Sequence, residues 1–108
     1  MSSPLKTLDT LEALLEERKS ADPETSYVAK LYSKGAKKIA QKVGEEAVET
    51  AMAVAAEDNN ELIGESADLL FHLMVLLKAR GLSLKDVADE LAHREGLSGL
   101  VEKASRTK

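Results

Sequence analysis

Between Gly44 and Leu77 the chain carries eight acidic residues and no lysine or arginine, and the second half of that stretch is its most apolar segment. Immediately upstream, between Lys30 and Val43, five lysines occur with no acid. A solvated helix intermixes its charges so that i,i+4 pairs form. Here a basic block runs into an acidic one, and carboxylates are set among leucines. Burying such carboxylates bare is costly, so the fold must supply them with partners.

Helix is the regular structure the pattern supports. Pro4 and Pro23 both lie in the first quarter, and Ala, Leu, Glu and Lys dominate the remainder. Alternating β-branched or aromatic runs are missing. A first helix is expected over about residues 4–19, with Ser3 as N-cap and one face formed by Leu5, Leu8, Leu11 (or Glu12) and Leu15. A turn at Ser20-Ala21-Asp22-Pro23 leads to a short second helix over about 24–33, interrupted near Gly35. The third helix is expected over about 36–56 and the fourth over about 61–79, separated by Asp58-Asn59-Asn60 and followed by Gly81 as a C-terminal stop. Ser83 should cap a fifth helix over about 84–94, with a loop at 96–99 and a last turn at 100–104. The expectation is an all-α fold: one domain over residues 1–108, an antiparallel bundle of about four to five helices.

Composition narrows the chemistry. With no cysteine there is no disulfide framework and no thiol nucleophile. A net charge of −4 and 3% aromatic residues argue against a nucleic-acid binder. The longest apolar run, Leu69 to Leu77, is broken by His72 and is far short of a membrane span. The N-terminus lacks an apolar secretory core, so a cytoplasmic protein is expected.

On a helical wheel with Ile39 at the origin, Val43, Thr50 and Val54 fall within about 60° and form a packed stripe. Lys38, Lys42, Glu45 and Glu49 cluster at about 240–300°, with Glu46 near 340°. In the fourth helix Glu61, Glu65, Asp68 and His72 form one stripe inside an otherwise apolar cylinder, which should be central and buried. Asp68 then needs a partner, and His72 can hydrogen-bond it one turn back. Met52 and Met74 are expected to fill the core. Glu90 and His93 have the spacing of a di-iron motif but lack the second copy that such a site needs. Carboxylates from two neighbouring helices, Glu46, Glu49, Glu65 and Asp68, would make an all-oxygen site suited to Mg²⁺. Such an ion polarises a phosphoryl oxygen and activates water, and the lysines one and two turns upstream would hold phosphates. Helices three and four are too apolar for the short remaining helices to cover, so a homodimer with a four-helix core is expected.

The run Glu45-Glu46-Ala47-Val48-Glu49, followed by Glu65-Ser66-Ala67-Asp68, resembles the EExxE…ExxD signature of the MazG-like all-α nucleoside-triphosphate pyrophosphatases. More narrowly, Ser26-Tyr27-Val28-Ala29-Lys30-Leu31, Gly35, the segment Lys42 to Glu49, Ala67-Asp68-Leu69-Leu70-Phe71-His72-Leu73, and the tail with Glu90-Leu91, Arg94, Ser98-Gly99 and Glu102-Lys103 resemble the phosphoribosyl-ATP pyrophosphatase family of histidine biosynthesis. Phe71 departs from that family, which often has tyrosine there. The resemblance implies Mg²⁺-dependent hydrolysis of phosphoribosyl-ATP to phosphoribosyl-AMP and pyrophosphate by a dimer. It makes Glu46, Glu49, Glu65 and Asp68 metal ligands, and Glu45 a further ligand or an acceptor for a water on the metal. Lys38 and Lys42 are expected at the phosphates from the wheel. Two other readings use the same residues. A house-cleaning pyrophosphatase for ordinary or non-standard nucleoside triphosphates would share the carboxylates. A non-catalytic helical dimerisation module would instead pair Glu65 and Asp68 with Lys or Arg.

Overall fold

The computed structural model describes residues 3–95; the expected loop at 96–99 and last turn at 100–104 lie outside them. The chain forms helices α1 (Pro4–Glu17), α2 (Tyr27–Lys34), α3 (Ala36–Ala55), α4 (Asn59–Ala79) and α5 (Leu84–Glu95), with a 3₁₀ turn at Arg18–Ser20. The all-α expectation holds. Among the described residues no helix is long and apolar enough to cross a membrane.

Helix boundaries follow from local hydrogen bonds. Ser3 Oγ accepts from the Lys6 amide at 3.1 Å, with Pro4 at the first helical position. The second helix begins at Tyr27 rather than Glu24. Asp22 holds the intervening turn, its carboxylate accepting from the Glu24 amide at 2.9 Å and its carbonyl from the amides of Thr25 and Ser26. Ser26 then caps α2, accepting from the Ala29 amide at 3.1 Å. Gly35 separates α2 from α3 at φ 88°, ψ 163°, a conformation that glycine alone adopts readily. Asp58 does not merely break the chain. It caps α4 through the amides of Asn60 and Glu61 at 2.9 and 3.3 Å, which starts the helix at Asn59. Ser83 precedes α5 as expected, but the side chain doing the capping is Asp86, which accepts from the Ser83 amide at 2.9 Å.

α3 and α4 form a long antiparallel hairpin, and its two ends differ. At one end Ile39 of α3 and Met74 and Val75 of α4 pack with Leu15 of α1 and Val28 and Leu31 of α2. Leu8, Leu11, Tyr32, Phe71 and Leu84 close over this core. The other end is bare: Ile63, Met52, Val54 and Val48 are 67%, 66%, 61% and 59% exposed. This corrects three expectations. α4 is buried only toward its C-terminus, Met52 fills no core within the chain, and Val54 lies off the packed stripe. Leu5 is also exposed, because the core contacts of α1 begin only at Leu8. α5 buries no residue fully; its start is fixed by the Glu12 carboxylate, which accepts from the Leu84 amide at 2.8 Å.

Tyr32 ties α2 to α1 by donating its hydroxyl to the Leu15 carbonyl at 2.9 Å. Burial, with the Glu16 carboxylate adding to it, pushes this phenol from 10.0 up to about 12. The folded state therefore holds the phenolic proton more tightly than the unfolded chain. That contribution is complete below about pH 10 and is lost as pH rises toward about 12. Tyr32→Phe should cost about 1 kcal/mol at neutral pH, and its deficit against the parent should shrink as pH passes through that window. Urea denaturation at neutral and at high pH checks both.

Candidate functional site

Three residues of α3 are buried, at seven-residue intervals: Ile39, Glu46 and Ala53. On a straight helix a seven-residue repeat drifts by about 20° per step. The drift carries the buried line away from Val54 and onto the side of Glu46. A carboxylate thus occupies a position where the hairpin would otherwise place an apolar side chain. Facing it, α4 contributes Glu65, half-buried, and α3 adds the exposed Glu49 one turn on. One oxygen from each of Glu46, Glu49 and Glu65 lies within 4.8 Å of the others. Thr50 fixes the two helices at this level. Its hydroxyl lies 2.8 Å from the Glu46 carbonyl and 3.1 Å from the Glu65 carbonyl, sharing one proton between them.

The cluster is under-compensated. Lys42 reaches Glu46 Oε1 at 3.5 Å. Desolvation works against the charge on Lys42, but Glu46, with Tyr27 and Glu45, outweighs it and holds the ammonium above the usual lysine range. One ammonium against three carboxylates still leaves excess negative charge. At an effective dielectric near 20, two full charges at such a separation repel by about 3 kcal/mol. In addition Glu46 Oε2 and Glu65 Oε2 are buried without a hydrogen-bond partner, at a cost of about 1–3 kcal/mol each. Partnerless buried oxygens on converging all-oxygen donors fit a hard divalent cation such as Mg²⁺. A dimerisation module would have paired Glu65 and Asp68 with cations; among the described residues neither makes an ion pair.

Asp68 does not converge with the other three. It stands exposed on α4, one turn beyond Glu65, so the expectation that it is buried in this chain is corrected. Cover on this side of α4 begins only one turn further on, where Tyr27 of α2 meets the buried His72. His72 does turn back to residue 68, but to its backbone: Nδ1 lies 2.7 Å from the Asp68 carbonyl. Since a carbonyl only accepts, Nδ1 carries the proton. In that tautomer Nε2 accepts from the Tyr27 hydroxyl at 2.9 Å.

The lysines form a separate, adjoining groove of about 680 Å³, lined by Tyr27, Leu31, Lys34, Lys38, Gln41, Lys42 and Glu45. Glu45 lies here, accepting from Gln41 Nε2 at 3.2 Å, rather than with Glu46 and Glu49. Lys42 belongs to both regions, lining the groove and touching Glu46. Glu90 pairs with Arg94 at 3.0 Å on α5 and takes no part. Helical periodicity puts Thr50 in the packing stripe and gives Tyr27 no role. A wheel does reveal that Thr50 faces α4, but not that its hydroxyl meets a carbonyl there.

A family model described as phosphoribosyl-ATP pyrophosphohydrolase matches residues 8–95. A phosphoribosyl-ATP pyrophosphatase from Erythrobacter litoralis is 58% identical over 102 residues, covering 94% of this chain and 98% of the relative. One from Rhizorhabdus wittichii is 60% identical over 102 residues, covering 94% and 96%. A histidine biosynthesis bifunctional protein from Escherichia coli is 61% identical over 84 residues, which are 78% of this chain and 41% of that protein.

Thr50→Val keeps the side-chain shape and deletes the hydroxyl between α3 and α4. It should lower the free energy of unfolding by about 1 kcal/mol, with the denaturant slope unchanged. Thr50→Ser should recover most of the loss. Urea denaturation of the three proteins checks this.

Proposed function

The chain belongs to the phosphoribosyl-ATP pyrophosphohydrolase family, and from that membership we propose that it hydrolyses phosphoribosyl-ATP to phosphoribosyl-AMP and pyrophosphate, using Mg²⁺, as a cytoplasmic homodimer. It is a hydrolase of histidine biosynthesis. The observation that most supports the metal-dependent reading is the pair of buried, partnerless oxygens on Glu46 and Glu65 beside a lysine-lined groove.

In this reading Glu46, Glu49, Glu65 and Asp68 hold the cation. Asp68 comes in from the exposed edge of α4. Mg²⁺ bound there would neutralise charge on the phosphoryl oxygens and raise the electrophilicity of phosphorus. The chain's own residues do the rest. Lys38 and Lys42 bind the phosphates, and Lys42 also screens Glu46. Glu45 lies in the groove beside Lys42 and accepts a proton from the attacking water, or serves as a further ligand. Water adds to the phosphorus between the nucleotide and the pyrophosphate, the anhydride bond breaks, and the bond electrons leave with pyrophosphate. Assaying phosphoribosyl-ATP against ATP separates this activity from a house-cleaning pyrophosphatase with the same carboxylates.

The bare end of the hairpin supports the homodimer. Val48, Met52, Val54, Ile63 and Leu70 are all large apolar side chains left exposed on α3 and α4, the kind of surface that a partner helix covers. A second copy related by a two-fold axis would complete a four-helix core and cover it.

Two outcomes test these assignments. Glu49→Gln should cut turnover at least a hundredfold and weaken Mg²⁺ binding in calorimetry. The metal-free protein should melt at the same temperature or higher, because repulsion within the cluster falls. Full turnover in excess chelator refutes the metal role. For the assembly, sedimentation at micromolar concentration should show two chain masses, and Ile63→Lys should shift the species to one. A single active species of one chain mass in the parent refutes the dimer.

A further inference from the structure

Resting on the proposed substrate, we infer that Tyr27 is the platform on which the adenine base stacks, and that His72 is the positioning residue that holds it there. A purine between phosphorylated groups calls for a planar apolar contact close to cations. The chain has one phenylalanine, two tyrosines and no tryptophan with which to supply it. Tyr32 is committed to the core and to the Leu15 carbonyl. Phe71 is half-buried, its ring nearly parallel to that of Tyr27 at an interplanar angle of 20° and a centroid distance of 6.3 Å. Tyr27 alone among the three is largely open, 53% exposed, and it forms one wall of the groove that contains Lys34, Lys38 and Lys42.

What separates Tyr27 from an ordinary surface tyrosine is how firmly it is held. His72 is 6% exposed and spends both ring nitrogens on the arrangement, one on the Asp68 carbonyl and one on the Tyr27 hydroxyl. Its ring also meets Tyr27 edge-on at 6.1 Å and Phe71 edge-on at 5.1 Å. A surface tyrosine can satisfy its hydroxyl with water at no cost, so packing alone does not require a buried histidine for it. Held this way, the ring loses little rotamer freedom when a base stacks on it, which is how preorganisation raises affinity. The same ring lies against the groove that Lys42 shares with the carboxylate cluster. A nucleotide can therefore place its base on Tyr27 and extend its phosphates along the lysines toward Glu46 and Glu49.

The test compares ADP with inorganic pyrophosphate, by calorimetry on the full chain with Mg²⁺. The two ligands share the phosphates and differ in the nucleoside, and the measurement needs no turnover. Failure of the proposed substrate in the assay is thus read separately from failure of the platform. In the parent, ADP should bind more tightly than pyrophosphate. Tyr27→Leu should weaken ADP roughly 5- to 150-fold, the range for one base on one aromatic ring, and leave pyrophosphate within about twofold. Tyr27→Phe, which keeps the ring, should retain most of the ADP preference. His72→Leu should lose an intermediate share and raise KM for phosphoribosyl-ATP more than it lowers kcat. Should Tyr27→Leu fail to fold, tyrosine fluorescence of the parent decides, with ADP quenching it and pyrophosphate leaving it unchanged. Equal affinity of the parent for the two ligands, equal losses for both in Tyr27→Leu, or no quenching by ADP would overturn the inference.

Discussion

Glu46 takes a core position between Ile39 and Ala53 on the buried line of α3, and the rest of the molecule is arranged around that carboxylate. An apolar residue there would have given an uninterrupted seam with α4. The carboxylate instead brings Glu65 and Glu49 against it, draws Lys42 across from the neighbouring groove, and leaves two buried oxygens without partners. The repulsion among the carboxylates and the unpartnered oxygens cost stability in the protein alone, and Lys42 offsets only part of that. Together they support the proposal that a cation completes the site, because binding one would relieve the stored repulsion.

That site lies at the boundary between two unlike halves of one hairpin. Toward the Ile39 and Val75 end, α1 and α2 pack over α3 and α4 and exclude water. Toward the Met52 and Ile63 end, the same two helices are uncovered. A carboxylate cluster deep in the covered end would be inaccessible, and one at the bare tip would be fully hydrated and weak. At the boundary Glu46 is dry, Glu65 half-dry and Glu49 wet, a gradient that keeps the charges strong and the entrance open.

Much of this is legible in the order of the residues. Helix boundaries follow to within a few positions, because caps and glycines act locally: Ser3, Gly35 and Gly81 each act within one turn. Propensity starts the second helix too early, since the Asp22 turn competes with helix through several simultaneous bonds that propensity does not weigh. The carboxylates of α3 and α4 stand out as like charges at i,i+3 and i,i+4 with no cation among them, a pattern that a free-standing helix avoids. The depth of each does not. A wheel assigns burial from apolar neighbours in sequence, and so expects Asp68 buried and Val54 packed, whereas burial is decided by which helix lies opposite.

Periodicity, capping and charge are local properties, and they suffice for the all-α class, the order of the helices and the identity of the acidic and basic side chains. Two further matters are settled only by how the helices pack: that Glu46 rather than Asp68 is the buried carboxylate, and that Tyr27 is held over the groove by His72. Each depends on the drift of a seven-residue repeat along a 3.6-residue helix, or on a contact between residues 45 apart in the chain. Neither the cumulative rotation of one helix against another nor a hydrogen bond across that distance is written in any single turn of sequence.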